Sequence, residues 1–208
     1  MAQYVALAAA VIAALGKVGV ETTSVVALLA SAGLAIGLAL QGSLSNFASG
    51  VLLLILRPLA IGDRVTTGGH VGVVEEIGIF STTLHSDDGE VVVIPNAQVT
   101  GAAIVNHSAR GRRRGRVEIG VAYGAEVEAV LAALERATAR VERALRDPAP
   151  RAVFSGFGAS SLDFTVFVWS APSELIGVLH ALRRAIYEEL AAAKIEIPFP
   201  QMVVHRAP

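Results

Sequence analysis

The feature that most constrains this chain is a stretch without a single charged residue, which covers residues 22–56. As one helix it would be about 50 Å long at ~1.5 Å per residue. The hydrocarbon core of a bilayer is only about 30 Å thick. We therefore predict a membrane helix over 21–57 that bends, tilts or leaves the bilayer partway. Gly42 and Gly50 are the positions where a bend costs least, because glycine tolerates the widest range of backbone conformations.

A second apolar stretch comes first, over residues 1–20, and is closed by Lys17. It has no positively charged start and another apolar helix follows it at once, so we interpret it as a short or truncated membrane helix rather than a signal peptide.

Of the 17 lysines and arginines, only Lys17 precedes Arg57. This distribution favours a cytoplasmic location for everything after Arg57. Cysteine is absent, which excludes disulfides and thiol chemistry.

Small and large residues of the uncharged stretch separate onto different faces of the predicted helix. With about 100° of rotation per residue, Leu34 and Leu38 form one narrow stripe. Two ridges of small residues flank that stripe, Ala27, Ser31 and Ala35 on one side and Ala30, Gly33 and Gly37 on the other. Small residues let membrane helices approach closely, so this helix could contact identical copies on both sides and close a ring. A helix of a monomeric bundle is the alternative.

In such a ring the two leucines point to the centre, one helical turn apart. Rings of leucine form an apolar constriction, which can gate a water-filled pore by dewetting. The sequence Gln41-Gly42-Ser43 follows and predicts a break in the helix. A second helix with an apolar face is predicted over 44–56.

After Arg57 and Pro58 the pattern changes to short β-type runs separated by turn residues. Four strands are predicted, over 64–67, 71–77, 80–85 and 90–94. They make residues 58–109 a small β-barrel or sandwich. Residues 110–208 follow the order strand, helix, strand, strand, helix, strand, which is that of a ferredoxin-like α+β domain. The predicted elements are strand 116–121, helix 126–145, strands 151–154 and 162–169, helix 173–193 and a final strand near 202–205.

These runs also carry a family resemblance. The segments GLAIGLALQGSLSNFASGVLLLILRPLAIGDRV, IFSTTLHSDDGEVVVIPNAQV, GVAYGAEV, FGASSLDFTVFVWS and IPFPQM strongly resemble the small-conductance mechanosensitive channels of bacteria, the MscS type, over nearly the whole chain. The resemblance implies a tension-opened homoheptamer of the inner membrane that releases ions and small osmolytes during hypo-osmotic shock. It also implies a kinked pore helix, an Sm-like β domain and an α+β domain around a cytosolic vestibule.

The resemblance assigns roles to residues already singled out. Leu34 and Leu38 correspond to the pore gate, and the two small ridges correspond to the packing faces between helices. The kink and hinge positions are Gln41, Gly42, Asn46 and Gly50. Membrane lipids and permeating ions are the implied partners, with no cofactor. Family members have at least three membrane helices per subunit, so we expect this chain to be a fragment.

The sequence offers little for catalysis or metal binding. The five histidines, His70, His85, His107, His180 and His205, lack the i,i+3 or i,i+4 spacing of a helical metal site. The run GFGASS at 156–161 has neither the nucleophile motif GxSxG nor a phosphate-loop lysine. We therefore predict neither an enzyme nor a metal protein.

One cluster of charge stands out, made of Arg110, Arg112, Arg113, Arg114 and Arg116. A solvated loop is the simplest interpretation. The alternatives are a charged rim on the permeation route, formed by Arg112, Arg113 and Arg114, or contact with anionic lipid or nucleic acid. A membrane-anchored β-barrel that binds RNA through Arg112–Arg116 is the alternative function. The aromatic residues that single-stranded nucleic-acid sites place between basic ones are missing along this run, so we expect no nucleic acid.

Overall fold

The computed structural model describes residues 2–19 and 21–202 of the chain. Its first two elements are helix α1, Ala2–Lys17, and helix α2, Thr23–Leu56. Among the described residues, α2 is the one helix long and apolar enough to cross a membrane, with a mean hydropathy of 2.1. Helix α1, with 16 residues, is shorter than the roughly 20 residues that span a bilayer. The predicted long apolar helix is therefore confirmed.

Helix α2 continues through Gly42 without interruption, whereas the sequence predicts a break at residues 41–43. The Asn46 side-chain amide donates a hydrogen bond to the Gly42 carbonyl oxygen at 2.9 Å, one turn earlier in the same helix. The helix ends at Arg57, whose φ of 47° and ψ of 52° are left-handed. The Arg57 N–H donates to the Leu53 carbonyl at 3.0 Å, which closes the last turn.

The next elements are strands β1, Arg64–Thr67, β2, His70–Ile77, β3, Ser81–His85, and β4, Val91–Pro95, then helix α3, Asn96–Gly101, and strand β5, Val105–Asn106. The sheet order is β4-β3-β2-β1-β5. The four predicted strands are confirmed with ends shifted by one residue at most. The sequence pattern predicts neither α3 nor β5, because six and two residues are too few for a period to be recognised.

The β1–β2 turn consists of Gly68 and Gly69, with φ of 57° and 84°. Positive φ at both central residues gives the hairpin twist that suits antiparallel strands, and glycine adopts it without strain. Alternate side chains of the strands that follow point inward, and Val74, Leu84 and Ile94 are buried. The strand pattern of the sequence thus forms one apolar face.

The C-terminal part contains β6, Arg113–Val121, α4, Val127–Ala139, β7, Arg151–Phe157, β8, Leu162–Ser170, and α5, Leu175–Ala192. A single 3-10 turn, Pro172–Glu174, precedes α5. The strands form a sheet in the order β6-β8-β7, and both pairs are antiparallel. Two helices crossing one face of this sheet give the expected α+β architecture. The predicted final strand falls mostly on residues outside the described part, and Met202 is not in a strand.

One sheet face and the two helices form the core of the C-terminal part. The sheet contributes Val117, Phe164 and Val166, and the helices contribute Leu134 and Leu182, all buried. Helix α4 ends at Ala139, earlier than the sequence predicts. The guanidinium of Arg146 donates hydrogen bonds to the carbonyl oxygens of Thr138 and Ala139, at 3.3 and 2.9 Å, so a side chain satisfies the last carbonyls and the chain can turn away.

The chain divides into two compact units. One comprises the residues up to Gly62 together with Thr66–Ile104, and the other comprises Asp63–Val65 and the residues from Val105 onward. Helix α2, strands β2 to β4 and helix α3 therefore belong to one unit. The sheet β6-β8-β7 and its two helices belong to the other.

Candidate functional site

The stripe of two leucines lies uncovered on α2. Leu34 and Leu38 are 65% and 61% exposed, and four residues of spacing place them on one helix face. Exposed apolar side chains on a helix of this length need lipid or another protein surface around them. The structure therefore leaves this face available for lipid or for further chains.

The two small ridges beside the leucines are also uncovered. All six of their residues are exposed, and a Cβ built on Gly33 or Gly37 would meet no atom within 4 Å. The hydroxyl of Ser31 donates to the Leu28 carbonyl at 2.8 Å. Because that donor is satisfied within the helix, Ser31 can enter a dry contact with a neighbouring helix at little cost.

The second half of α2 is anchored to the β domain through Asn46. Besides its bond to Gly42, this side chain accepts a hydrogen bond from the backbone N–H of Ala97 at 2.9 Å through Oδ1. Ala97 lies in the first turn of α3, where backbone N–H groups have no partner within their own helix. Asn46 thus supplies a cap for α3 and bonds the turn of α2 that contains Gly42.

Asn96 forms the buried centre of this junction. Its Nδ2 donates to the carbonyl oxygens of Gly78 and Ile79, at 3.0 and 3.1 Å. Its Oδ1 accepts from the hydroxyl of Thr82 at 2.8 Å, and its backbone N–H donates to Phe80 at 2.9 Å. Asn96 and Thr82 are fully buried, so these bonds fix the start of α3 against the bend between β2 and β3.

Helix α2 comes close to this centre at Gly50. A Cβ built there would lie 2.5 Å from Asn96 Nδ2 and 2.5 Å from the Ile79 carbonyl oxygen, so only glycine fits. Next to it, the Thr100 hydroxyl donates to the Ser49 hydroxyl at 3.0 Å. We call the contact formed by Asn46, Ser49, Gly50, Asn96, Ala97 and Thr100 the helix–β junction.

The sequence identifies part of this junction and misses the rest. Asn46 and Gly50 are singled out in the sequence as kink and hinge positions, and the structure brings both against α3. Asn96 and Thr100 are missed because they lie in a helix that the pattern does not reveal. The Pro95-Asn96 sequence after an apolar strand is the one local signal, and it reads equally well as a simple turn.

We predict that the Ala97 amide reports directly on the junction. In an Asn46→Leu variant both Asn46 hydrogen bonds are lost, so the Ala97 N–H should exchange with solvent about fivefold faster, since a lost cap costs roughly 1 kcal/mol. Asn46→Asp keeps an acceptor oxygen for Ala97 and should retain most of the protection. Hydrogen exchange with fragment mass analysis measures both. Equal exchange in the Leu variant and the wild type would contradict the capping role.

The side chains of the arginine cluster do not all lie on one surface. Arg112, Arg114 and Arg116 are exposed, while Arg113 points to the other side of β6 and is half-buried. The guanidinium of Arg112 lies 5.7 Å from the ring centroid of Trp169, and that of Arg114 lies 4.7 Å from the centroid of Phe167. The neighbouring strand thus supplies aromatic rings that the run itself lacks.

The histidines and carboxylates of the described residues do not come together as a metal site. Among the described residues, no three side chains of the types that bind metals are grouped closely enough to hold an ion, and His205 lies outside that part of the chain. Burial, followed by the nearby charges of Arg113 and Arg64, lowers the pKa of His107 below its ordinary value. That histidine is therefore predominantly neutral at pH 7.

Comparison with known families decides the identity of the fold. Residues 42–109 match the family model described as "Mechanosensitive ion channel, beta-domain", and residues 116–197 match "Mechanosensitive ion channel MscS, C-terminal". The chain belongs to the MscS family of mechanosensitive channels. The first match includes the whole of α3 and all six residues of the helix–β junction.

Individual MscS proteins agree with this assignment. The chain is 45% identical over 205 residues to the small-conductance mechanosensitive channel of Edwardsiella ictaluri, covering 99% of this chain and 72% of the relative. It is 43% identical over 203 residues to an uncharacterized MscS family protein of Buchnera aphidicola, covering 98% and 72%. The crystal structure of Helicobacter pylori MscS in its closed state superimposes with a TM-score of 0.87 at 34% identity, covering 95% of this chain and 78% of that one. This chain is a subunit of a mechanosensitive channel, and its family is one of channels rather than enzymes.

Proposed function

We propose that this MscS-family subunit assembles with identical copies around a central pore that Leu34 and Leu38 close. The observation that carries the proposal is the exposure of both leucines, 65% and 61%, between two exposed ridges of small residues. Family resemblance implies seven subunits. In this arrangement each ridge packs against the opposite ridge of a neighbour, and the leucines form two apolar rings across the pore.

Membrane tension opens the pore in this proposal. Tension does work in proportion to the in-plane area that the protein gains, so it favours the state with the wider ring. The pore helices then tilt and slide along their small ridges, the leucine rings part, and the passage fills with water. Ions and small osmolytes leave the cell after external osmolarity falls.

The hinge of this motion is proposed at Gln41 and Gly42. Both residues are exposed, and a Cβ on Gly42 would meet no atom within 4 Å, so side-chain packing does not oppose bending there. The Gly42 carbonyl accepts the bond from Asn46, which holds it to the half of α2 that follows the hinge. The helix–β junction begins at Asn46 and holds the following half of α2. Tilting of the first half against this anchored half is the simplest motion that separates the leucines.

The proposed membrane is the bacterial inner membrane, with residues after Arg57 in the cytoplasm. Support comes from the single lysine that precedes Arg57 among 17 basic residues and from the bacterial MscS relatives. Lipids around α1 and α2 and the permeating ions are the proposed partners.

Bulking one ridge is predicted to make the channel harder to open. In Gly37→Val the added side chain separates neighbouring helices and obstructs their sliding, at a cost of about 1–3 kcal/mol per contact. We expect a higher threshold tension in patch recordings. Ala32→Val, on the side of the helix away from the leucines, serves as the control and should leave the threshold unchanged. A lower threshold for Gly37→Val would contradict ridge packing.

The proposed function is tested by reconstituting the protein in liposomes and recording current under suction. We expect discrete current steps that appear above a threshold tension and vanish when suction is released. Bilayers that contain the protein and stay silent up to rupture would contradict the proposal.

A further inference from the structure

The outer face of the C-terminal sheet places arginines and aromatic rings side by side. In the antiparallel pairing, Arg114 lies opposite Trp169 and Arg116 lies opposite Phe167, so these four side chains share one face. Arg112 stands two residues before Arg114 and reaches the same face. We call Arg112, Arg114, Arg116, Phe167 and Trp169 the arginine–aromatic face. It lies on the side of the sheet opposite the α4 and α5 core.

Two of the arginines each lie over a ring of β8 that is paired with the arginine two residues further along the chain. Arg112 lies over Trp169 at 5.7 Å and Arg114 lies over Phe167 at 4.7 Å. A guanidinium stacked on a ring keeps its in-plane N–H donors directed outward. Stacking also restricts the side-chain rotamers, so less conformational entropy is lost when a ligand binds. Both guanidinium groups lie within cation–π range of a ring, Arg114 more closely than Arg112, so both are held near this face rather than moving freely.

The charge on this face is not neutralised locally. Within the described part of the chain, neither Arg112 nor Arg114 makes an ion pair with a carboxylate. Arg116 contacts Glu118 at 3.3 Å, and both side chains are largely exposed, so that pair is weak. Arg151 of β7 lies opposite Phe167 on the same face and adds a fourth positive charge. Beyond Glu118, the face turns acidic at Asp163, so the positive potential is concentrated at the arginine end.

We propose that the arginine–aromatic face binds an oxyanion with two negative charges, carried by a phosphoryl group or by a pair of carboxylates. A guanidinium fork matches two oxygens of such a group in a bidentate arrangement. Arg112 and Arg114 are two residues apart, so their Cα atoms lie at most about 7 Å from each other, and a compact dianion can contact both forks. A halide ion has no pair of oxygens to engage a fork. This binding site is independent of the pore and goes beyond the channel function.

The chain contains a natural reporter, because Trp169 is its one tryptophan and lies beneath Arg112. We would titrate the purified chain in detergent with inorganic phosphate, with succinate and with sodium chloride, all at equal ionic strength. Phosphate or succinate should produce a saturable change in Trp169 fluorescence, and chloride should not. The phosphate and succinate arms distinguish a phosphoryl group from a pair of carboxylates.

Variants assign the response to the stacked arginines, with calorimetry as the readout so that altered fluorescence does not matter. Arg114→Gln removes one fork and should weaken binding at least about tenfold. Arg114→Lys keeps the charge without the fork or the flat stack and should weaken it several-fold. Arg183→Gln changes an exposed arginine on α5 and should bind like the wild type. A response equal to that of chloride, or undiminished binding in Arg114→Gln, would overturn the proposal.

Discussion

Replacing Leu38 with serine is expected to give a channel that opens at much lower tension and leaks at rest. In the proposed closed pore, each subunit contributes an apolar side chain to the constriction, and water is excluded because the ring offers no hydrogen bonds. Burying a leucine stabilises a protein by roughly 1.5–3 kcal/mol relative to exposing it. In Leu38→Ser every subunit of the ring loses this stabilisation of the closed pore. Serine also donates and accepts hydrogen bonds, so it stabilises water at the narrowest point.

The effect is measured as threshold tension in patch recordings and as growth of cells that express the variant. We expect a lower threshold and impaired growth for Leu38→Ser. Leu40→Ser provides the matched control, since Leu40 is 57% exposed on the opposite side of the helix. An unchanged threshold in Leu38→Ser, or an equal effect at position 40, would remove Leu38 from the gate.

The second large effect is expected at Gly50, where a single methyl group should destabilise the helix–β junction. An added Cβ would lie 2.5 Å from the backbone oxygen of Ile79. That oxygen belongs to the bend that Asn96 holds, so it cannot move away without breaking buried hydrogen bonds. We expect Gly50→Ala to lower the free energy of unfolding by about 1–3 kcal/mol, the usual range for overpacking.

Gly42→Ala is the matched control for this prediction. Both glycines lie inside α2, and alanine is the better helix former by roughly 1 kcal/mol. At Gly42 a Cβ would meet no atom within 4 Å, so alanine should leave stability unchanged or raise it. Thermal unfolding of both variants in the same detergent gives the comparison. A Gly50→Ala protein as stable as Gly42→Ala would show that α2 does not pack closely on Asn96.

Periodicity made the apolar helix and most of the strands predictable. The uncharged stretch and the grouping of Leu34 and Leu38 between small residues are properties of one helix, so they depend on neighbouring positions alone. The β1–β2 turn is equally local, because Gly68 and Gly69 specify it by themselves. These elements appear in the structure where the sequence predicts them.

Contacts between distant segments account for what the sequence could not predict. Asn46 and Ala97 are 51 positions apart, and no local pattern connects them. The uninterrupted course of α2 through Gly42 is likewise not revealed by helix propensity, which counts glycine as a helix breaker. Residues 109–116 contain no aromatic residue. The rings near the arginines belong to β8, and only the pairing of β6 with β8 places Trp169 and Phe167 beside that run.

The central claim, that Leu38 lines an aqueous pore, is tested most directly by cysteine accessibility. The chain contains no cysteine, so Leu38→Cys and Ile36→Cys each introduce a single thiol without any background mutation. A charged, water-soluble methanethiosulfonate reagent applied under suction should change the current of Leu38→Cys and leave that of Ile36→Cys, on the far side of the helix, unaltered. A Leu38→Cys current that stays constant while the channel is open, or equal modification of both variants, would contradict a pore lined by this face.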